Sequence, residues 1–109
     1  MANHLDSFFA ALADPTRRAV IERLTDGPAP VSELHEPHDM ALPSFLKHIA
    51  RLEDAGLVSS EKHGRIRTVR IEAAPLAEAE DWLARQRRVW EGRTDRLQAL
   101  AEALDRRPQ

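Results

Sequence analysis

The sequence predicts a mostly α fold that carries one small β-hairpin, an α+β arrangement. Three observations predict it. Apolar residues recur at helical spacing in a series of stretches; one later stretch alternates apolar and polar residues as a half-buried strand does; and prolines and glycines mark the points where helices start and stop. The 109 residues, 42% hydrophobic and 31% charged, fit one globular domain over 1–109 with a modest core.

Taken in order, Leu5, Phe8, Phe9 and Leu12 give a first helix whose apolar face is wide for so short a segment. Asp14 then stands as an N-cap, with Pro15 at the first helical position, where its missing N–H costs nothing. The second helix turns Val20, Ile21 and Leu24 inward and stops at Gly27-Pro28. Arg17 and Arg18 fall in its first turn, where the helix dipole disfavours positive charge; a phosphate contact or a salt bridge to a neighbouring element would account for them.

A short third helix opens at Val31-Ser32-Glu33-Leu34 and is limited by Pro37, and His38-Asp39-Met40 reads as a turn. The fourth helix runs from about Leu42 to Ala55, with Pro43 in its first turn and Gly56 as its left-handed stop. Phe45, Ile49 and Leu52 form its buried stripe, which places Ser44, Lys47 and Arg51 together on the side facing away. Leu46 has two readings, packing under the neighbouring helix or touching a thymine methyl. Leu57-Val58 opens an extended run, Ile66 to Ile71 alternates, and His63-Gly64-Arg65 between them forms a hairpin tip. After Pro75, Leu76, Leu83, Trp90, Leu97 and Leu104 stand seven apart, flanked by Trp82 and Val89 and interrupted by Gln86, Arg93 and Arg96. This is a long helix with a packing face, imperfect as a coiled coil. The domain thus divides into a core, residues 5–74, and a C-terminal helix, residues 75–106.

Composition excludes several functions. Without cysteine there are no disulfides, thiolate metal sites or cysteine nucleophiles. The apolar run Phe8 to Ala13 is bracketed by Asp6 and Asp14 and is too short for a secretory signal or a membrane span, so a cytoplasmic protein with no membrane partner is expected. No glycine-rich phosphate loop, metalloprotease helix or nucleophile elbow is present, and neither an enzyme nor a cofactor is expected.

The net charge of −2 conceals an uneven distribution. Between Ala41 and Arg70 six bases (Lys47, Arg51, Lys62, Arg65, Arg67, Arg70) face three acids (Glu53, Asp54, Glu61). Two short helices joined by a tight turn and followed by a basic hairpin make a winged helix-turn-helix, which lays one helix in the major groove of double-stranded DNA while the hairpin reaches the backbone or minor groove. The candidate DNA-binding residues are Leu42, Pro43, Ser44, Lys47, His48 and Arg51 on the helix, and Lys62, His63, Arg65 and Arg67 on the hairpin. For His48, bordering the buried stripe, a phosphate contact and a helix–helix hydrogen bond are both open.

The apolar faces of the first and last helices predict a homodimer with Leu5, Phe8, Phe9, Leu76, Trp82, Leu83, Val89, Trp90, Leu97, Leu100 and Leu104 at its interface. A dimer calls for a pseudo-palindromic operator with half-sites about one helical turn apart. The alternative is a winged-helix protein-interaction module, for which the basic hairpin has no evident use.

Three groups of residues resemble the ArsR/SmtB-type winged-helix repressors, and in particular a cysteine-less subgroup. Ala11-Leu12-Ala13-Asp14-Pro15-Thr16-Arg17-Arg18 looks like that family's opening signature. Pro43, Lys47-His48 and Leu52-Glu53-Asp54-Ala55-Gly56-Leu57-Val58 look like its recognition helix and exit, and Trp82-Leu83 and Trp90-Glu91 are similar too. The resemblance covers roughly residues 5 to 104. It implies a homodimer built from the first and last helices and repression relieved by some signal. Two positions depart: Ala41-Leu42 and Leu46 stand where the family usually has serines, so the resemblance leaves the operator sequence open. The family's metal ligands have no counterpart. His35, Glu36, His38 and Asp39 come nearest but lie about Pro37, and the last helix contains no histidine. No metal site is expected.

Overall fold

The computed structural model describes residues 4–106; residues 1–3 and 107–109 of the expected domain lie outside the described residues. In chain order the elements are α1 (His4–Leu12), α2 (Pro15–Leu24), β1 (Ala29–Pro30), α3 (Val31–His35), α4 (Leu42–Asp54), β2 (Val58–His63), β3 (Ile66–Ile71) and α5 (Ala74–Asp105). The chain divides into two compact units at Glu78/Ala79, and each is described by itself.

In the first unit the deepest side chains are Val20 and Leu24 of α2, Leu34 of α3, Phe45 and Leu52 of α4, Leu57, and Val69 of β3. Helices α2, α3 and α4 and strand β3 thus supply side chains to one core; the inward stripe of α4 is the one the spacing predicts, and in α2 Val20 and Leu24 are buried while Ile21 is half-buried. Phe8 is also buried. That corrects its expected place at a dimer interface, since its ring already serves the chain's own core; Leu5 is half-buried and Phe9 exposed.

The three strands form an antiparallel sheet in the order β1-β3-β2, with Ala29 opposite Val69 and Val58 opposite Ile71. Strand β1 is one the sequence reading lacks: it has two residues, one of them Pro30, which is tolerated because the strand lies at the sheet edge. At the hairpin tip His63 pairs with Ile66 across Gly64-Arg65, and Gly64 takes φ 63°. Glycine first in a two-residue turn is what the twist of the strands requires.

Helix α4 is terminated as its sequence dictates. Gly56 adopts φ 73° while its N–H bonds Glu53 O at 2.9 Å and the Leu57 N–H bonds Leu52 O at 3.0 Å, a Schellman closure that satisfies two of the helix's last carbonyls. Leu57 is thereby turned into the core and the chain enters β2. The stop fixes α4 and the hairpin relative to each other.

Beyond Glu78, α5 continues to Asp105 as a single helix. Only Ala79 is buried there, and Leu83, Val89, Trp90, Leu97, Leu100 and Leu104 are all more than half exposed. Among the described residues, no helix is long and apolar enough to cross a membrane.

Candidate nucleic-acid interface

The interface begins with the helix that carries it. Phe45, Ile49 and Leu52 anchor α4 in the core, and Ser44, Lys47 and Arg51 are exposed on its outer side, as their spacing predicts. No side chain caps its first turn, because Ala41 occupies the N-cap position and makes no side-chain hydrogen bond. The first N–H groups and the positive end of the helix dipole are left without a side-chain partner.

Leu46 is 40% and Leu42 45% exposed. For Leu46 this corrects the reading that packs it under the neighbouring helix: α3 is a single short turn ending at His35, and the space beside it stays open as a groove. Leu42 and Leu46 line that groove with Ile66, Lys62, Arg65 and Arg67 of the hairpin. Arg51 stands elsewhere, beside a shallow hollow it shares with Ser7 and Ala10 of α1. The structure thus brings four of the candidate DNA-binding residues, Leu42, Lys62, Arg65 and Arg67, around one groove and sets Arg51 toward α1.

Which cations are already committed separates the candidates further. Arg67 donates to Ser60 Oγ at 2.9 Å, whose hydroxyl donates to Glu53 Oε1, and Arg70 donates to Ser59 Oγ and pairs with Glu72. His63 Nε2 lies 3.4 Å from Glu61. Lys47, Arg51, Lys62 and Arg65 have no hydrogen-bonding or ionic partner within the described residues. Their charge is available to an outside anion.

Arg17 and Arg18 are held by hydrogen bonds within the chain rather than by salt bridges. Arg17 is buried: its Nε donates to Ala11 O at 2.6 Å, one terminal nitrogen donates to Ala10 O at 3.2 Å, and the other donates to His48 Nδ1 at 2.9 Å. Arg18 donates to Leu12 O at 2.7 Å. Helix α1 has no basic residue in its last turn, and its open carbonyls are closed by the two arginines that begin the next helix. His48 therefore follows the second of its two readings, a helix–helix hydrogen bond. Since a guanidinium can only donate, Nδ1 accepts and the ring proton sits on Nε2.

Asp14 completes this joint. Its carboxylate accepts the Arg17 N–H at 3.1 Å and lies 3.8 Å from His48 Nδ1. Burial pushes its pKa up, but the hydrogen bonds from the Arg17 and Thr16 N–H groups and the positive charge of Arg17 outweigh it, leaving the carboxyl below its ordinary value. A depressed carboxyl contributes stability above its unfolded pKa and loses it as pH falls through the folded value. Asp14→Asn keeps a cap acceptor but no charge, so its stability deficit relative to the parent is expected to be largest near neutrality and to shrink below about pH 4. Urea titrations at stepped pH check this; a deficit independent of pH would contradict it.

The histidines nearest to a metal constellation do other work. His35 Nε2 donates to Met40 O at 2.7 Å, and the His35 and His38 rings lie 5.1 and 5.5 Å from the Phe45 ring. Among the described residues no group of three or more histidines and carboxylates is placed to hold a metal ion.

Comparison with known proteins agrees with this architecture. A helix-turn-helix domain family profile matches residues 12–61. The chain is 38% identical over 72 residues to the HTH-type transcriptional regulator Rv2034 of Mycobacterium tuberculosis, covering 66% of this chain and 67% of that one. It is 24% identical over 79 residues to the transcriptional repressor SdpR of Bacillus subtilis, covering 72% and 88%. A crystal structure of an ArsR family transcriptional regulator superposes with a TM-score of 0.79 at 56% identity, covering 84% of this chain and 97% of that one. Sequence signature, fold and relatives agree: the chain belongs to the ArsR family of winged helix-turn-helix transcriptional regulators.

Proposed function

We propose that the protein is a sequence-specific double-stranded DNA-binding repressor that acts in the cytoplasm as a homodimer on a pseudo-palindromic operator, without catalysis, cofactor or metal. One observation carries the DNA reading: Lys47, Arg51, Lys62 and Arg65, on α4 and at the hairpin, are left unpartnered within the described residues, whereas Arg17, Arg18, Arg67 and Arg70 are bonded internally. Unpaired cations on a helix flanked by a basic hairpin suit a polyanion with a groove. SdpR's designation as a transcriptional repressor supports the direction of control.

In this reading residues 5–74 form the reading head and residues 75–106 the dimerisation helix. The uncapped start of α4 at Leu42-Pro43 approaches a phosphate, Ser44 and Lys47 face base edges, and Arg51 with them reaches the margin of the footprint on the α1 side. Lys62, His63 and Arg65 work from the wing through phosphate charge, Arg67 keeps the wing braced against α4 through Ser60, and His48 positions the helix rather than touching DNA. The dimer surface is the exposed stripe of α5, with Leu5 and Phe9 of α1 as a second, smaller patch.

Two variants separate helix from wing. Lys47→Ala is expected to cost about 1 to 3 kcal/mol on the cognate operator and much less on random duplex. Arg65→Ala is expected to weaken both alike and to reduce the log-log salt slope by about one unit. Fluorescence anisotropy on both duplexes across a salt series decides; a Lys47→Ala loss equal on random and cognate DNA would contradict the base-reading assignment.

A further inference from the structure

We infer that Leu42 and Leu46 read the 5-methyl groups of thymine in the major groove, so that the operator contains thymines whose methyls, and not only their hydrogen-bonding edges, set affinity. The inference rests on the DNA reading above and extends it to the chemistry recognised. Leu42 and Leu46 are one helical turn apart on the same side of α4, and both are substantially exposed. With Ile66, Pro30 and Val31 they make up the apolar lining of the groove between α4 and the hairpin, whose remaining lining includes Lys62, Arg65 and Arg67. Large aliphatic side chains held out of the core beside a row of cations lower the free energy only when something apolar covers them.

The cations name the occupant as a nucleic acid strand, and DNA restricts what the leucines can meet. The edges of guanine, cytosine and adenine in the major groove are polar donors and acceptors; the thymine C5-methyl is the one apolar group displayed there. Leucine offers no hydrogen bond and so gains nothing from the other edges, while each would leave a base atom desolvated without a partner. Position on the helix agrees. Both leucines lie in the first half of α4, the end that a helix-turn-helix presents to base edges.

Replacing thymine by uracil removes the methyl and keeps every hydrogen-bonding atom. Operators selected by the full-length protein from a random duplex pool are to be synthesised with uracil at each thymine in turn, and their dissociation constants measured for the parent, Leu46→Ala and Leu42→Ala. Because both leucines are exposed, thermal melts are expected to show the variants folded. For the parent, at least one uracil per half-site is expected to weaken binding about fourfold, the equivalent of about 0.8 kcal/mol for one buried methyl. In the variant lacking the leucine that meets it, the same uracil is expected to carry no penalty. Uracil tolerated at every position by the parent, or a penalty that persists undiminished in both variants, would overturn the methyl readout while leaving DNA recognition standing. Failure of the selection to enrich any sequence would overturn both.

Discussion

Trp90→Glu with Leu97→Glu is expected to convert the protein to a monomer at micromolar concentration and to weaken operator binding by a hundredfold or more. Trp90 is 69% and Leu97 68% exposed, and they stand in a row with Leu83 and Leu104 along α5. Burying a side chain of this size is worth about 1.5 to 3 kcal/mol, so a stripe of four against its two-fold copy supplies the free energy of a stable dimer before the flanking residues are counted. Glutamate at two of those positions removes the burial and sets like charges facing across the axis. Operator affinity falls with it, because joining two reading heads makes the second half-site contact intramolecular, worth about 10² to 10⁴ in avidity. Arg88→Glu, which makes the same two-unit charge change off the row, is the control. Sedimentation equilibrium alongside anisotropy checks both effects; a double variant that stays dimeric would place the interface elsewhere.

Arg17→Ala is expected to cost about 2 to 4 kcal/mol of folding stability, a large share of what a domain of this size has. Its guanidinium closes the carbonyls of Ala10 and Ala11 and holds His48, so truncation takes the side-chain donor from the buried Ala11 carbonyl, leaves Ala10 O with only its bond from Ala13 N–H, and loosens α4 from the α1–α2 joint. A planar fork with five donors reaches three acceptors at once; an ammonium does not, so Arg17→Lys is expected to recover only a minor part of the loss. Arg18→Ala, whose single bond to Leu12 O is exposed, is expected to cost under about 1 kcal/mol. Urea unfolding followed by circular dichroism measures all three, and an Arg17→Ala variant within experimental error of the parent would contradict the capping role.

Arg17 also shows where reading a sequence stops. Its place in the first turn of a helix, where the dipole disfavours positive charge, suggested phosphate or a salt bridge, because local rules see only the helix to which a residue belongs. Its actual partners are carbonyls at the end of the preceding helix, set by the angle of the Ala13-Asp14 corner. Helix α4, by contrast, is legible nearly to the residue: Pro43, the Phe45, Ile49 and Leu52 stripe and Gly56 each act within one or two turns. The hairpin is legible for the same reason, since alternation and a glycine tip are local. Strand β1 is not, because two residues ending in proline carry no period and pair only by virtue of partners far along the chain, Val69 and Thr68. Leu46 lies between these cases. Its angle on the helix was known, but whether α3 covered it depended on how soon that helix ended, and the open groove follows from its stopping at His35.

The candidate DNA-binding residues were legible as types and less so as roles. Charge and spacing selected Lys47, Arg51, Lys62, Arg65 and Arg67 together; only the hydrogen bonds distinguish Arg67, braced on Ser60, from the four with no partner. His48 was selected by its neighbour Lys47, yet its ring is turned to Arg17. Phe8 was selected by an apolar run that the core had already claimed.

The central claim, that two chains present α4 and the wing to one pseudo-palindromic site, is tested most directly by sedimentation velocity of a labelled operator duplex titrated with the protein. The account predicts a single boundary shift that saturates at two chains per duplex, and no saturable shift at the same concentrations on a scrambled duplex of equal length. One chain per duplex at saturation, or the same shift on operator and scrambled DNA, would contradict it.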